Sequence, residues 1–548
     1  MKIVYYKLSA LVLAAISIFP SCTKKIDEAY KNPNAGVRQP IESLLPNVIQ
    51  NFAVSNTAQG TLYGTQNDGQ YIGRYVQFWA ANTANNQYDQ MSGATGVNDF
   101  LGSVWAMHYY GMGANLNRIM EWGEEEKKWD YVGVAHAIRA WSWLTLTDMY
   151  GDAIVLKQAF NPDILVFPYD SQQEVYEQVK KEVRLAIEYL NRTGDGVNPA
   201  NLASGAQYFS LKGDVEKWKK FAYSVMARVF HRTTNKSTYQ ADSVLHYANL
   251  AINSNADNAY VLFEGTTSIK MSYYGPTRGN IGTFRQTRFV ADLLQGVNGA
   301  FSGVEDPRAI YLIRENTNGT FKGVRPVRGF PDGLAAADQP TNFWGGTGTA
   351  TTGTNANARY VFKDAMPWPV LTAAEIQFLK AEAYYRKGMK SEALTAYTNG
   401  ISLNFDMLTT DYNTSVPAAR QITPAIKTGY LANTTAVPTA ANLTLSKIML
   451  QKYISLYGYG FIETWVDLRR YHYTDLEANT TRQVYTDFAP PAANDLYQDN
   501  RQKLVYRARP RYNSEYLYNQ DALRSVGAMI GASQVLDYHT KEMWFSMP

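Results

Sequence analysis

The chain is expected to be mainly α, with stacked helical hairpins packed against an irregular, loop-rich half. Three features of the 548-residue sequence support this. Apolar residues recur at helical spacing through much of residues 97–253 and 371–470. Residues 371–405 have the length and layout of one hairpin of a ~34-residue helical repeat. Between these regions, residues 256–370 are rich in Gly, Thr, Asn, Pro and aromatics without an apolar period. Such a long irregular excursion is usually functional or disordered.

The elements follow in chain order. Lys2 and Lys7 make a basic start, Leu8 to Phe19 an apolar run, and Pro20-Ser21-Cys22 its end. The run falls well short of the ~20 residues that span a bilayer and has the layout of a secretory signal peptide. Cys22 is the only cysteine, so it has no internal disulfide partner. In that position it reads as the acylated residue of a bacterial lipoprotein, exposed by removal of residues 1–21. The alternative is an ordinary signal peptide with an incidental cysteine. Phe19 and Pro20 depart from the Leu and small residue usual in a lipobox. Residues 22–40 then form the lipidated Cys and tether, and residues 41–548 a single domain.

Val97 to Trp122 carries apolar residues at helical spacing, and Val132 to Tyr150 follows after the solvated charge run Glu124 to Lys128. Gly151-Asp152 stops that helix. Ser171 to Leu190 starts with a capping box, Ser171 with Glu174. Val215 to Arg232 and Tyr239 to Asn253 are the next pair. Within 371–405, small Ala381 and Ala393 allow close helix approach, Tyr384 and Tyr397 fill the space between, and Gly388 makes the turn. This segment resembles a tetratricopeptide repeat. The pairs 215–253 and 132–190 are diverged versions of the same hairpin, and a further helix runs from Leu443 to Trp465 and on to Tyr471. Stacked hairpins of this kind build a superhelix with broad surfaces for protein partners.

Composition narrows the function classes. The formal charge falls from +4 to +2 once Lys2 and Lys7 leave with the leader, so no nucleic-acid footprint is present. Tyr numbers 40, more than Phe (22) and Trp (11) together, giving flat amphipathic area suited to sugar faces and protein interfaces. No phosphate-loop, nucleophile-elbow or zinc-helix motif occurs, and the six histidines (108, 136, 231, 246, 472, 539) have no metal-type spacing. No metal or cofactor is expected. Glu463 and Asp467 sit one helical turn apart like a glycosidase pair. Arg469 and Arg470 follow directly, which favours a structural ion cluster instead.

Several segments together resemble the SusD/RagB family of outer-membrane nutrient-binding lipoproteins of Bacteroidetes. They are Lys31-Asn32-Pro33-Asn34, Ala135 to Trp141 leading to Tyr150-Gly151-Asp152, Lys217 to Ala222, the repeat at 371–405, Trp465 to Arg470, and Arg509 to Glu515 with Asn519. The resemblance covers roughly residues 22–548. It implies a SusD-like α superhelix whose hairpin side faces a SusC-like TonB-dependent barrel, held at the outer membrane, facing the cell surface, by the lipid anchor. It implies a non-enzymatic protein whose loop-rich side captures a glycan, or a peptide, and hands it on. A secreted glycosidase and a purely structural adaptor are the competing readings.

Ligand residues do not follow from the motifs and are chosen by chemistry. Sugars stack C–H faces on aromatic rings and bond amides and guanidinium groups through their hydroxyls. Tyr71 to Tyr88 has this mixture, with Trp79 and Tyr88 as candidates beside Asn82, Asn85, Asn86 and Gln87. Arg328 to Trp344 adds Phe343 and Trp344 beside the Gly/Thr tract 345–358; Tyr273, Tyr274 and Arg278 join them. Tyr71, Tyr75, Phe78 and Trp79 also fit helical spacing, which favours Trp79 as a core residue.

Overall fold

The structure, a computed structural model, describes residues 38–56, 62–84, 101–161, 163–267 and 270–548. The expected leader and lipidated Cys22 lie outside the described residues. Helix α1 (Ile41–Gln50) buries Ile41, Leu45, Val48 and Ile49 along one stripe. Helix α2 (Thr65–Tyr75) runs through the centre, and its glycines show why. A Cβ on Gly69 would lie 2.2 Å from the Phe461 ring, and one on Gly73 2.2 Å from the Trp79 indole. Only glycine lets both neighbours approach the helix so closely. Strand β1 (Trp79–Ala81) follows directly.

The expected helix ending near Trp122 is present from Ser103, but Met107–Gly113 is π-helical before α3 (Ala114–Glu125). Helix α4 (Trp129–Tyr150) is buried on every side from Asp130 onward and forms the axis of the hairpin stack. Gly151 ends it at φ 69°, as the sequence predicts. Helix α5 (Gln172–Leu190) lies along α4 and carries the predicted capping box. Glu174 N–H donates to Ser171 Oγ at 3.3 Å, and Ser171 N–H donates to the Glu174 carboxylate at 3.0 Å.

The second hairpin pairs α6 (Val215–Arg232), capped by Asp214, with α7 (Ala241–Leu250), which is shorter at both ends than its apolar pattern predicts. Short strands β2 (Ala259–Val261) and β3 (Phe284–Gln286) open the loop-rich region, and β4 (Trp368–Leu371) closes it. β1 pairs with β3 and β2 with β4, both antiparallel. The third hairpin is α8 (Ala373–Arg386) and α9 (Lys390–Asp411), turned at Gly388 with φ 76°. Ala381, Ala393 and Tyr397 are fully buried between its helices as expected, whereas Tyr384 is only half-buried.

The predicted helix 443–465 is instead two, α10 (Leu445–Leu456) and α11 (Phe461–Arg470). Gly458 takes φ 86° and reverses the chain, so Phe461 can reach Gly69. The loop-rich excursion has little regular structure, yet it is firmly tied. Buried Arg285 donates to Pro340 O (3.1 Å), Gly348 O (2.7 Å) and Ala350 O (2.9 Å), which fixes the Gly/Thr tract.

A chain of buried ion pairs joins the hairpins to α10 and α11. Arg228 bridges Glu375 (2.7 Å) and Glu463 (3.0 Å); Arg232 bridges Asp148 (2.9 Å) and Glu463 (2.6 Å). Arg470 bridges Glu382 (2.9 Å) and Asp467 (2.7 Å), and Lys452 meets Asp467 at 2.8 Å. The carboxylates that resembled a glycosidase pair are thus consumed in structure. His231 Nε2 lies 2.7 Å from Glu382, and burial, reinforced by Arg470, lowers its pKa to about 3. In the unfolded chain histidine titrates at about 6.5. Between these values the unfolded state takes up a proton that the fold refuses. This contribution is complete above pH ~6.5 and is lost as pH falls toward the folded value. In His231→Gln, urea midpoints between pH ~6.5 and ~5 should depend less on pH than in the parent, since the other titrating groups are common to both proteins. An unchanged slope would refute this assignment.

Candidate functional site

The i, i+3, i+4, i+7 spacing of a helix puts Asn67, Gln70, Tyr71 and Arg74 on one face of α2. The irregular segment 273–280 packs against that face. Tyr273 Oη donates to Asn67 Oδ1 at 2.7 Å and accepts from Gln70 Nε2 at 3.0 Å. Asn280 Nδ2 holds the Tyr273 carbonyl at 3.0 Å, and Arg278 lies 5.3 Å over the Tyr273 ring. Arg74 lies 4.9 Å over the Tyr71 ring and 5.6 Å over Phe284. Asn67, Gln70, Tyr71, Arg278 and Asn280 remain partly exposed. Burial raises the pKa of Tyr71 and Tyr273, so both stay neutral hydroxyls. The result is a surface of aromatic ring, amides and a guanidinium, each able to bond a neutral polyol.

Of the residues chosen from sequence, Arg278 lies in this cluster partly exposed, and Tyr273 supports it from beneath, 4% exposed, with its hydroxyl tying Asn67 and Gln70 in place. Trp79, Tyr274, Phe343 and Trp344 do not: they are 0%, 0%, 1% and 0% exposed and offer no ring face to a ligand. They form one aromatic core behind α2. Phe284 stacks on Trp79 at 6.5 Å, Tyr274 meets Trp79 edge-on at 5.5 Å, and Phe343 stacks on Phe362 at 4.0 Å. The two indole nitrogens are satisfied internally, Trp79 Nε1 by Gln70 O (3.0 Å) and Trp344 Nε1 by Tyr274 O (2.9 Å). Tyr88 lies outside the described residues. Within Tyr71 to Tyr88 the sequence favoured Trp79 and Tyr88 over Tyr71 and Arg74, and it gave no sign of Asn67 and Gln70, although the helical spacing of α2 groups all four.

The loop-rich half also contains a cleft of about 570 Å³, within the range of small-ligand sites. It runs between Arg288–Asn298, Arg325–Arg328 and Asp487–Asp495. Arg328 makes a two-pronged pair with Asp495 at 2.7 Å, and Gln77 anchors the wall by donating to Ala489 O at 2.7 Å. Among the described residues, no group of three or more His, Cys, Asp or Glu is placed to hold a metal ion. Nor, among them, is any helix long and apolar enough to cross a membrane.

Comparisons with known proteins agree with this architecture. A family model described as SusD-like, starch-binding and associating with the outer membrane matches residues 33–491. No curated protein matches the chain. Among solved structures, a SusD/RagB family protein from Bacteroides thetaiotaomicron is 20% identical, with a TM-score of 0.65 over 93% of this chain and 99% of its own. A SusD-like protein from Bacteroidetes AC2a is 16% identical, with a TM-score of 0.66 over 93% and 100%. A chitin-binding SusD homolog from Flavobacterium johnsoniae is 17% identical, with a TM-score of 0.63 over 92% and 98%. At these identities the likeness is one of fold, with hairpins stacked beside a loop-rich half. Together with the family match across most of its length, this identifies the chain as a member of the SusD-like family.

Proposed function

We propose that this protein is a non-enzymatic, surface-exposed outer-membrane lipoprotein. It binds oligosaccharide or polysaccharide through the loop-rich half and passes it to a SusC-like TonB-dependent importer. The observation that carries this reading is the Tyr71–Tyr273–Arg278 cluster with the amides of Asn67, Gln70 and Asn280. An accessible ring, Tyr71, beside amides held by the buried Tyr273 is what a neutral sugar needs, and the family description adds starch binding at the outer membrane. Lipid anchorage through Cys22 would hold this site near the barrel mouth, raising the local ligand concentration even for weak binding. Peptide capture is the second reading, favoured by the charged cleft at Arg328 and Asp495.

Native gels loaded with neutral polysaccharides test the first reading, with a peptide panel run alongside. Retarded migration in at least one glycan without its hydrolysis is the expected result. Retention by peptides alone would move the assignment to the second reading, and glycan turnover would displace both.

A further inference from the structure

A buried guanidinium normally meets a carboxylate, because the uncompensated charge is costly to desolvate. Arg139, like the carbonyl-bound Arg285, departs from this rule, and unlike Arg285 it lines an open cleft. It is 6% exposed, and its only described bonds run from Nη2 to Gly113 O (3.1 Å) and Asn117 Oδ1 (2.7 Å), both neutral. Its Nε is buried without a partner. Burial lowers its pKa to about 10, with Glu182 only partly offsetting this. Arg139 lines a cleft of about 750 Å³ between α3, α4 and α5, on the hairpin side of the molecule.

Two further observations point to a ligand there. Phe160 packs its ring 5.2 Å from the Arg139 guanidinium while holding a left-handed backbone, φ 65°. That conformation is strained for a bulky residue, and such strain concentrates at functional sites. Gly113 makes room for it, since a Cβ there would lie 2.2 Å from the Phe160 ring. The cleft's charges are also unbalanced. Glu174 is paired with Lys157 (2.6 Å) and Glu177 with Lys180 (2.7 Å), while Glu182 accepts from Gln178 Nε2 (2.7 Å) and lies 2.6 Å from His136, an ion pair only when that imidazole is protonated. Among the described residues, Arg139, Lys181 and Arg184 have no such partner.

We propose that this cleft is a second ligand site, which binds an acidic sugar by its carboxylate. Arg139 receives the carboxylate, Phe160 contacts the ring, and Asn117, Gln173 and Gln178 face the hydroxyls. The proposal rests on the glycan-binding reading only for the choice of a sugar as the carrier of the charge.

The test is calorimetric titration of the full-length chain with D-glucuronate, D-glucose and acetate. Saturable binding of glucuronate, at least about tenfold tighter than glucose or acetate, is expected. Arg139→Met should abolish it. Because Arg139 also supports Gly113, Lys181→Glu combined with Arg184→Glu gives a surface control, expected to weaken glucuronate by about tenfold. Equal binding of glucose or acetate, no glucuronate binding, or unaltered binding in folded Arg139→Met or in the double variant would each overturn the proposal. Tyr71→Ala should leave glucuronate binding intact. Neutral glycans failing to bind while glucuronate binds would refute the proposed function and spare this site.

Discussion

Arg470→Ala is expected to lower unfolding stability by about 3–5 kcal/mol, the range for removing one partner of a buried ion pair. The side chain is 1% exposed and touches Glu382 on α8, Asp467 on α11 and Thr234 just past α6. Its loss strands two buried carboxylates, leaving Glu382 to His231 and Arg386 and Asp467 to Lys452. Those carboxylates have pKa values below their ordinary range because of the cations around them, although burial pushes the other way. The surface pair Arg288–Asp292 on one helix turn sets the baseline, since such a pair is worth about 0–1 kcal/mol. Urea unfolding followed by circular dichroism compares Arg470→Ala with Arg288→Ala. Similar small losses in both would mean that the buried chain of charges does not hold the hairpins to α10 and α11.

The second large effect is on binding. Tyr71→Ala combined with Arg278→Ala should weaken glycan retention by about tenfold or more while leaving the fold intact, because both side chains are partly exposed. Trp344→Ala should do the opposite. It empties a fully buried site and is expected to cost about 3–5 kcal/mol of stability. Any loss of retention in that variant should track unfolding. If the double variant binds as the parent does, the Tyr71–Tyr273–Arg278 surface is not the glycan site.

Local signals made the hairpins legible before the structure. Ser171 with Glu174, Gly151 and Gly388 punctuate helices by short-range hydrogen bonding and φ, which depend on near neighbours alone. The split between α10 and α11 was hidden because the apolar period runs through Gly458, whose φ of 86° and close approach to Tyr360 and Val361 involve residues some hundred positions away. Burial of single aromatics was harder still. Tyr71 and Trp79 look alike in sequence, but Trp79 enters β1 and is covered through pairing with β3, a contact made across some two hundred residues of chain. Trp344 sits in loop-like sequence, yet Asn342 closes a turn that drives the indole inward, its Oδ1 accepting from Trp344 N–H at 3.0 Å. The ion network was half visible. Glu463, Asp467, Arg469 and Arg470 are clustered in sequence, whereas Arg228 and Arg232 on α6 join them only because the fold brings Glu375, Asp148 and Glu463 to them.

The most direct test of the central claim is a crystal structure of the body bound to whichever neutral oligosaccharide retards it. The account predicts sugar density against Tyr71 and Arg278, with hydroxyls bonded to Asn67, Gln70 or Asn280. Density lying only on the hairpin face, away from α2 and the 273–280 segment, would contradict it.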